Sequence, residues 1–390
     1  MPELIFDSFA YGGEAVGRLP DGRVCFVRGG IPGERAEVEI VTGKRSFARG
    51  RLLKVLNAVP ERQVPECPLF AAPGAGGQCC PGCSYQQVSP QLELEAKSRQ
   101  LCGFLRRFRP GDEVEVAAPF DSDRRYLRRN KLTLSGPVGG YRGEDNRTLI
   151  RVDRCPLAVP EINQELESFR RRQTRFPARL TWRWTPRNGV REISAGGWLT
   201  EELAEFGDFR VAASGFFQTN TFVAAELVRR VVALVAASGC GRLVELFCGV
   251  GLFSIAAAER ISGLRCSGVE LEAAAVAAAE VNAESHGVAD RCRFRAGDAA
   301  AGVGRMLRES PAAETVFLLD PPRGGVNASL IAAASAARPR MIVYISCAPD
   351  TLARDLEGFA AAGYRLETVA MFNMFPATAH FETLAVLRAG

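Results

Sequence analysis

The 390-residue chain has no run of about 18 uncharged apolar residues, the length a membrane span needs. Its best candidate is cut by Glu226, Arg229 and Arg230. The start, Met1-Pro2-Glu3, carries an early acid and no basic segment, so no signal peptide is expected. There is no internal repeat, and no low-complexity tract beyond alanine richness. With 47% apolar and 24% charged residues, wholesale disorder and fibrous repeats are excluded. The length exceeds one ordinary domain. These absences leave a soluble, cytoplasmic, multidomain protein with no membrane partner, and a monomer by default.

Excess positive charge is missing from the second half. Residues 1–210 hold 33 Lys and Arg against 27 Asp and Glu, whereas 211–390 hold 16 against 17. The span from Arg170 to Arg191 has eight arginines and no acid. Such a block suits a polyanion, and the stretches 97–131 and 170–191 are expected to hold phosphate. The blander reading is a solvated arginine face.

Three pieces follow from the pattern. Residues 1–58 read as short strands (Arg23–Val27, Arg35–Val41, Phe47–Val55) between Gly turns, the rhythm of a small OB-like β-barrel. Residues 59–210 are mixed α+β. They open on Pro60, Pro65, Pro68 and Pro73 and a loop with Gly74, Gly76 and Gly77, followed by a helix expected from Gln91 to about Phe108. From 211 to 390, apolar strands alternate with Ala-rich helices, such as Glu272–His286 before Gly287, which predicts a doubly wound, mostly parallel sheet. Its ligands belong at the carboxyl ends of the strands.

Twelve cysteines are many for a compartment where disulfides are rare. Cys25, Cys79, Cys102, Cys240, Cys248, Cys266, Cys292 and Cys347 are scattered or lie in apolar runs, where a buried small hydrophobe is the ordinary reading. Cys80-Pro81-Gly82-Cys83 is a C-x-x-C turn. Cys67 and Cys155, each followed by Pro, complete four thiolates able to hold zinc or a 4Fe-4S cluster. Spacing does not choose between the two. The C-x3-C-x2-C spacing of radical enzymes is absent, since residue 86 is Gln.

The third glycine of a dinucleotide loop is missing too. Leu243–Phe247 runs into Cys248-Gly249-Val250-Gly251-Leu252-Phe253, and Ser254 stands where that glycine would be. This disfavours pyrophosphate and makes a nicotinamide dehydrogenase the weaker alternative. Glu270 ends the second strand, placed for a ribose diol, and Asp298 ends the third, placed for an adenine amine. Adenosine without pyrophosphate points to S-adenosylmethionine. The fourth and fifth strands end in Asp320-Pro321-Pro322-Arg323 and Ser346-Cys347-Ala348-Pro349, and Glu382 enters the last strand after His380. Read singly, Cys347 is a core cysteine, Asp320 a turn cap and Glu382 an exposed strand-end acid. Together with S-adenosylmethionine they suggest pyrimidine C5 methylation. Cys347 adds to C6, C5 attacks the methyl, Glu382 removes the C5 proton, and Asp320 holds the ring or the cofactor amine.

At these residues the chain resembles the RNA uracil-5 methyltransferase family, and in particular its bacterial 23S rRNA branch. The matching strings are Gly215–Asn220, Phe247–Gly251, Asp320–Gly325, Ser346–Asp355 and Phe375–Glu382. The resemblance implies a Rossmann-like class I methyltransferase domain. It implies Cys347 as nucleophile, Glu382 as proton acceptor, and Gln218, Phe247, Glu270, Asp320 and Asp298 in the cofactor site, beside the loop glycines Gly249 and Gly251. It implies a TRAM barrel at the N-terminus and a 4Fe-4S cluster, rather than zinc, on Cys67, Cys80, Cys83 and Cys155. Departures are the twelve residues between Cys67 and Cys80, with Cys79 a rival for Cys80, and Leu252 and Ala348 where Asn is usual. Alternatives are a tRNA uracil-5 methyltransferase, a non-catalytic ribosome-assembly RNA binder, and an amino-group methyltransferase, which would have an aromatic at Arg323.

Overall fold

The computed structural model describes residues 1–70, 79–108, 114–122, 124–143, 147–308 and 311–390. Pro73 and the loop glycines Gly74, Gly76 and Gly77 lie outside the described residues. The chain divides into two compact units: Met1–Gln100 with Asp123–Trp184 and Phe375–His380, and Leu101–Ser122 with Thr185–Met374 and Phe381–Gly390.

In the first unit, period-two burial shapes the N-terminal strands. Leu4 and Phe6 turn inward from β1 (Glu3–Phe9), while their neighbours face solvent. β2 (Ala15–Arg18), β3 (Val24–Arg28), β4 (Arg35–Gly43) and β5 (Phe47–Asn57) close a barrel in the order β1-β2-β3-β5-β4. All pairs are antiparallel except β3 with β5. The interior holds Leu4, Phe6, Cys25, Val27, Val38 and Leu52. Gly50 is required where β5 crosses β4, because a Cβ there would stand 2.3 Å from Val38 Cγ1.

The helix α1 (Pro90–Phe104) ends four residues before the expected Phe108, and a 3-10 turn, Arg106–Phe108, follows it. On α1, Glu93 and Lys97 pair at 2.6 Å, both buried. They hold the segment Phe375–His380: the Ala377 N–H donates to Glu93 at 2.8 Å and Lys97 donates to the Phe375 carbonyl at 3.2 Å. Arg125 pairs with Glu93 at 3.2 Å and donates to the Val88 and Tyr85 carbonyls, and Arg128 donates to the Pro376 carbonyl. These contacts take three cations of the 97–131 stretch out of the expected phosphate surface, while Arg99 is exposed. Lys97, Arg125 and Arg128 satisfy buried backbone and a buried carboxylate instead of facing a polyanion.

Next in the chain comes a two-residue strand, β6 (Glu115–Val116), which belongs to the second unit. The first unit continues with β7 (Lys131–Ser135), β8 (Gly140–Arg142), β9 (Leu149–Arg151), α2 (Pro160–Arg172) and β10 (Arg179–Thr185), whose strands run in the order β10-β7-β8-β9. Phe169 of α2 packs on Phe176 and Trp182. Arg170 lies on the Phe176 ring, donates to the Val138, Gly139 and Val152 carbonyls and pairs with Asp153; Arg183 is 2% exposed. The expected phosphate-holding block 170–191 therefore has at least these two members inside the fold. Arg175, Arg179 and Arg191 are exposed.

The second unit begins with β11 (Gly189–Glu192) and the hairpin β12 (Trp198–Leu203) and β13 (Gly207–Ala212). Then α3 (Thr221–Ser238) is capped by Asn220 and ended by Gly239 in the left-handed region. Strands and helices alternate through β14 (Arg242–Leu246), α4 (Leu252–Arg260), β15 (Arg265–Glu270), α5 (Ala273–Ser285), β16 (Cys292–Ala296), α6 (Ala299–Arg308), β17 (Thr315–Leu319), α7 (Ala328–Ala337), β18 (Met341–Ser346), α8 (Pro349–Ala361), β19 (Tyr364–Phe372) and β20 (Glu382–Ala389). The sheet order is β16-β15-β14-β17-β18-β20-β19-β6. The pairs from β16 to β18 are parallel, and β20 runs antiparallel to both neighbours. This is the doubly wound sheet expected. Its order reverses between β14 and β17, and the crevice at that switch point lies at their carboxyl ends. No helix among the described residues is long and apolar enough to cross a membrane.

Candidate functional site

The loop after β14 is shaped by backbone that side chains resist. Phe247 has φ 64°, Gly249 φ 52° and Gly251 φ 82°, and Gly251 caps α4. A Cβ on Gly251 would meet the Phe294 ring at 2.8 Å. Left-handed backbone at a bulky residue such as Phe247 marks a strained site. The loop is tied down from three sides. The Gly249 N–H donates to Glu270 at 3.0 Å, and that carboxylate also accepts the Glu272 N–H at 3.1 Å. Asn282 of α5 donates to the Val250 carbonyl at 3.1 Å and bridges to Arg210 of the hairpin. Glu245, buried in β14, accepts from the Ser254 amide at 3.0 Å and from its hydroxyl. Burial pushes its carboxyl up to about 8, against the Ser254 bonds.

Sequence reasoning passed over Glu245 and Asn282. The signal for Glu245 was an acid inside an apolar strand. Asn282 had none, because an Asn in a helix reads as an ordinary surface residue.

Gln218, Phe247, Gly249 and Asp320 line one small cavity, together with Glu245 and the 69%-exposed Phe216. Phe247 also lines a larger one, of about 620 Å³, with Asp298, Gly324, Asn327 and Arg354. Asp298 sits two residues beyond its strand and accepts the Ala301 N–H at 3.0 Å, capping α6. Gln218 is buried and Glu270 half-buried.

Cys347, Asp320 and Glu382 occupy adjacent strand ends. Asp320 directly follows β17, Cys347 directly follows β18, and Glu382 opens β20. In the β18–β20 pair Ser346 stands opposite Thr383, so Cys347 comes next to Glu382. Glu382 is 6% exposed, which excludes a surface acid. Burial pushes the Cys347 thiol up to about 11, the Glu382 charge pushes it the same way, and Arg323 pulls it back. Burial, then Asp320, lifts Glu382 well above the usual carboxylate range, with Arg323 opposing. Burial and the Glu270 charge raise Asp320 to about 7. Such a site disfavours several negative charges at once. His380 belongs to the first unit, its ring edge-on to Phe375.

The Asp320–Gly325 loop is held by α8. Asp355 accepts the Val326 N–H at 2.9 Å and the Tyr344 hydroxyl at 2.6 Å and pairs with Arg354 at 2.6 Å. Arg354 donates to the Gly324 carbonyl at 2.8 Å and Thr351 to the Arg323 carbonyl at 3.1 Å.

In the first unit, Cys67, Cys80, Cys83 and Cys155 line a single cavity of about 230 Å³ with Gln86, Arg129 and Tyr141. Cys79 is not among its walls. Arg28 of β3 clamps the C-x-x-C turn, donating to the carbonyls of Cys80 at 2.7 Å and Cys83 at 2.6 Å. Burial pushes the Cys67 and Cys83 thiols up to about 11, and raises Cys80. Among the described residues, no three metal-ligating side chains converge as a single ion requires.

The comparisons agree with this architecture. Residues 205–389 match the family model for tRNA (uracil-5-)-methyltransferase, and residues 3–53 match the TRAM domain. A 23S rRNA (uracil(1939)-C(5))-methyltransferase from Erwinia tasmaniensis is 31% identical, covering 94% of this chain and 91% of the relative. The Cronobacter sakazakii enzyme of the same name is 30% identical over the same shares. The crystal structure of Pyrococcus abyssi tRNA (uracil-54, C5)-methyltransferase aligns with a TM-score of 0.74 at 22% identity, over 99% of this chain and all of that one. With 30% identity or more held across nearly the full length of both chains, this chain belongs to the RNA uracil-5 methyltransferase family.

Proposed function

We propose that the chain methylates C5 of a uridine in 23S rRNA, with Cys347 as nucleophile and Glu382 as base. The observation that carries this is the strand register that sets Cys347 beside the buried Glu382 at the sheet edge next to Asp320. Cys347, as thiolate, bonds to C6 of uracil, and the electron pair moves to C5 and O4. S-adenosylmethionine, when bound, would supply the methyl to C5 and leave as S-adenosylhomocysteine. Glu382 then removes the C5 proton, and the returning electrons expel Cys347. Arg323 favours the thiolate. The target base leaves its stack to reach the pocket. Gln218, Phe247, Gly249, Gly251, Glu270, Asp298 and Asp320 form the cofactor site in this reading, Glu270 on the ribose diol and Asp298 on the adenine amine. The rRNA substrate rests on the names of the Erwinia and Cronobacter relatives.

The same reading gives residues 1–58 and 59–210 the RNA-binding roles, and 211–390 the methyl transfer, in a cytoplasmic monomer. Cys67, Cys80, Cys83 and Cys155 suit a 4Fe-4S cluster. The donor set is all thiol, and the four residues border one cavity of about 230 Å³, which has room for a cluster larger than a single ion. The cluster would join segments distant in sequence.

The test is methyl transfer from labelled S-adenosylmethionine to unmodified 23S rRNA, with tRNA in parallel, followed by nucleoside analysis. Label in 5-methyluridine from rRNA is expected. Label in tRNA alone would overturn the substrate, and label in another nucleoside would overturn the chemistry.

A further inference from the structure

The thiol cavity contains more than thiols. Gln86 is 1% exposed, and its side-chain oxygen accepts the Cys67 N–H at 3.0 Å. Its amide nitrogen, also buried, finds no nitrogen or oxygen acceptor and faces the Cys83 thiol. The Tyr141 hydroxyl is likewise buried, with the Cys155 thiol and the Arg129 guanidinium within its reach. Both side chains line the cavity, and so does Arg129. A thiol is a weak acceptor, so both buried donors fall short of a full hydrogen bond, which is costly inside a fold. A ligand held among the four thiols that brings stronger acceptors would complete both.

A bare metal ion offers no acceptor beyond the thiolates themselves. An iron–sulfur cluster adds inorganic sulfides, which accept hydrogen bonds and carry negative charge, and hydrogen bonds to cluster sulfur set the reduction potential. Outer partners of this kind orient and tune metal sites generally.

We propose that Tyr141 and Gln86, with the Arg129 guanidinium, donate hydrogen bonds to the sulfurs of the cluster and hold its reduction potential up. This rests on the cluster reading above. A donor stabilises the more negative, reduced cluster over the oxidised one, so its removal lowers the potential. Each donor also covers a sulfur that oxygen or water would otherwise reach. None of the three is a ligand, so the cluster should still assemble without any one of them.

The full-length chain, purified without oxygen, is analysed for iron, sulfide and zinc. The midpoint potential is then measured by a redox titration followed by electron paramagnetic resonance, in wild type, Tyr141→Phe and Gln86→Glu. Phe keeps the ring and removes only the hydroxyl. Glu keeps the acceptor for the Cys67 amide and turns the donor into a second acceptor, so one variant serves if the other does not fold. The expected result is a full cluster in each, a potential lower than wild type, lower still in Gln86→Glu, and several-fold faster bleaching in air. A full cluster with unmoved potential in both would overturn the proposal and leave the cluster reading standing. One zinc per chain in the wild type would overturn both.

Discussion

Ser346 on β18 stands opposite Thr383 on β20 in antiparallel register, which sets Cys347 against Glu382 one step beyond. Two residues 35 positions apart in sequence thus share one end of the sheet because β20, inserted between β18 and β19, runs against both. The parallel strands alone deliver their ends to this edge, and β20 delivers its beginning.

That arrangement makes the two roles separable. Cys347→Ala removes the adduct and is expected to abolish methyl transfer while leaving cofactor binding intact. Glu382→Gln keeps the proposed nucleophile and removes the proposed base, a change expected to cost about 10²–10⁴ in rate. Methylated RNA should then stay covalently attached to the protein and migrate as a slow band on a denaturing gel. RNA containing 5-fluorouridine should trap wild type in the same way, because Glu382 cannot remove fluorine. A Glu382→Gln enzyme that turns over without trapped RNA would assign the base elsewhere.

Asp320 gives a pH signature. Its carboxyl is raised to about 7, from an ordinary 3.8, by burial and by the Glu270 charge. The folded state therefore disfavours the ionised form. The penalty is absent below the unfolded value, grows as pH rises from about 4, and is complete above about 7. Asp320→Asn removes it. The variant's stability advantage over wild type should be near zero at pH 3 and level off above pH 7 at an upper bound of about 4 kcal/mol, since the residue keeps some solvent contact. Thermal unfolding of both proteins across this range checks the sign. An advantage that shrinks as pH rises would contradict it.

The Asp355 network predicts a coupled loss. Asp355→Ala strands the Tyr344 hydroxyl and the Val326 amide, both buried, and frees Arg354. Each stranded buried donor costs about 1–3 kcal/mol, and the Arg354 pair, exposed on its cationic side, adds little. The loop carrying Asp320 and Arg323 would loosen with it, so methyl transfer should fall in the folded fraction as well. Calorimetry together with single-turnover rates separates the two effects. Tyr344→Phe, which removes one hydrogen bond, should cost only about 1 kcal/mol.

Much of this was legible before any coordinates. The glycines after β14, the acid ending β15 and the Asp320-Pro321 and Cys347 strand ends fall at fixed steps along an alternating α/β pattern, and that pattern alone sends them to one edge. The family resemblance and the fold class follow from the same strings. Less legible was the fate of charge. Lys97, Arg125, Arg128 and Arg170 read as a surface for phosphate, yet each turns to backbone carbonyls, and Lys97 and Arg125 also to the buried Glu93. Local composition cannot show this, because the carbonyls that Lys97 and Arg128 meet lie 278 and 248 residues away in sequence. The choice between Cys79 and Cys80 was open for a related reason: adjacent cysteines have the same composition and differ only in which way the turn faces.

The inward arginines sharpen the expectation for RNA binding. Each phosphate-contacting cation contributes about one unit to the slope of log affinity against log salt. Arg170 spans three carbonyls and stacks on Phe176, so Arg170→Ala should lower the unfolding temperature. In the protein that remains folded, the salt slope should stay as in wild type. Arg175 and Arg179 are exposed. The double variant Arg175→Gln, Arg179→Gln should keep wild-type stability and flatten the slope by up to about two units. Filter binding of a 23S rRNA fragment across a salt series, alongside thermal unfolding, reads both quantities. If the Gln pair leaves the slope untouched, the phosphate contacts lie elsewhere, and the barrel's own basic residues, Arg35 and Arg51 among them, become the next to test.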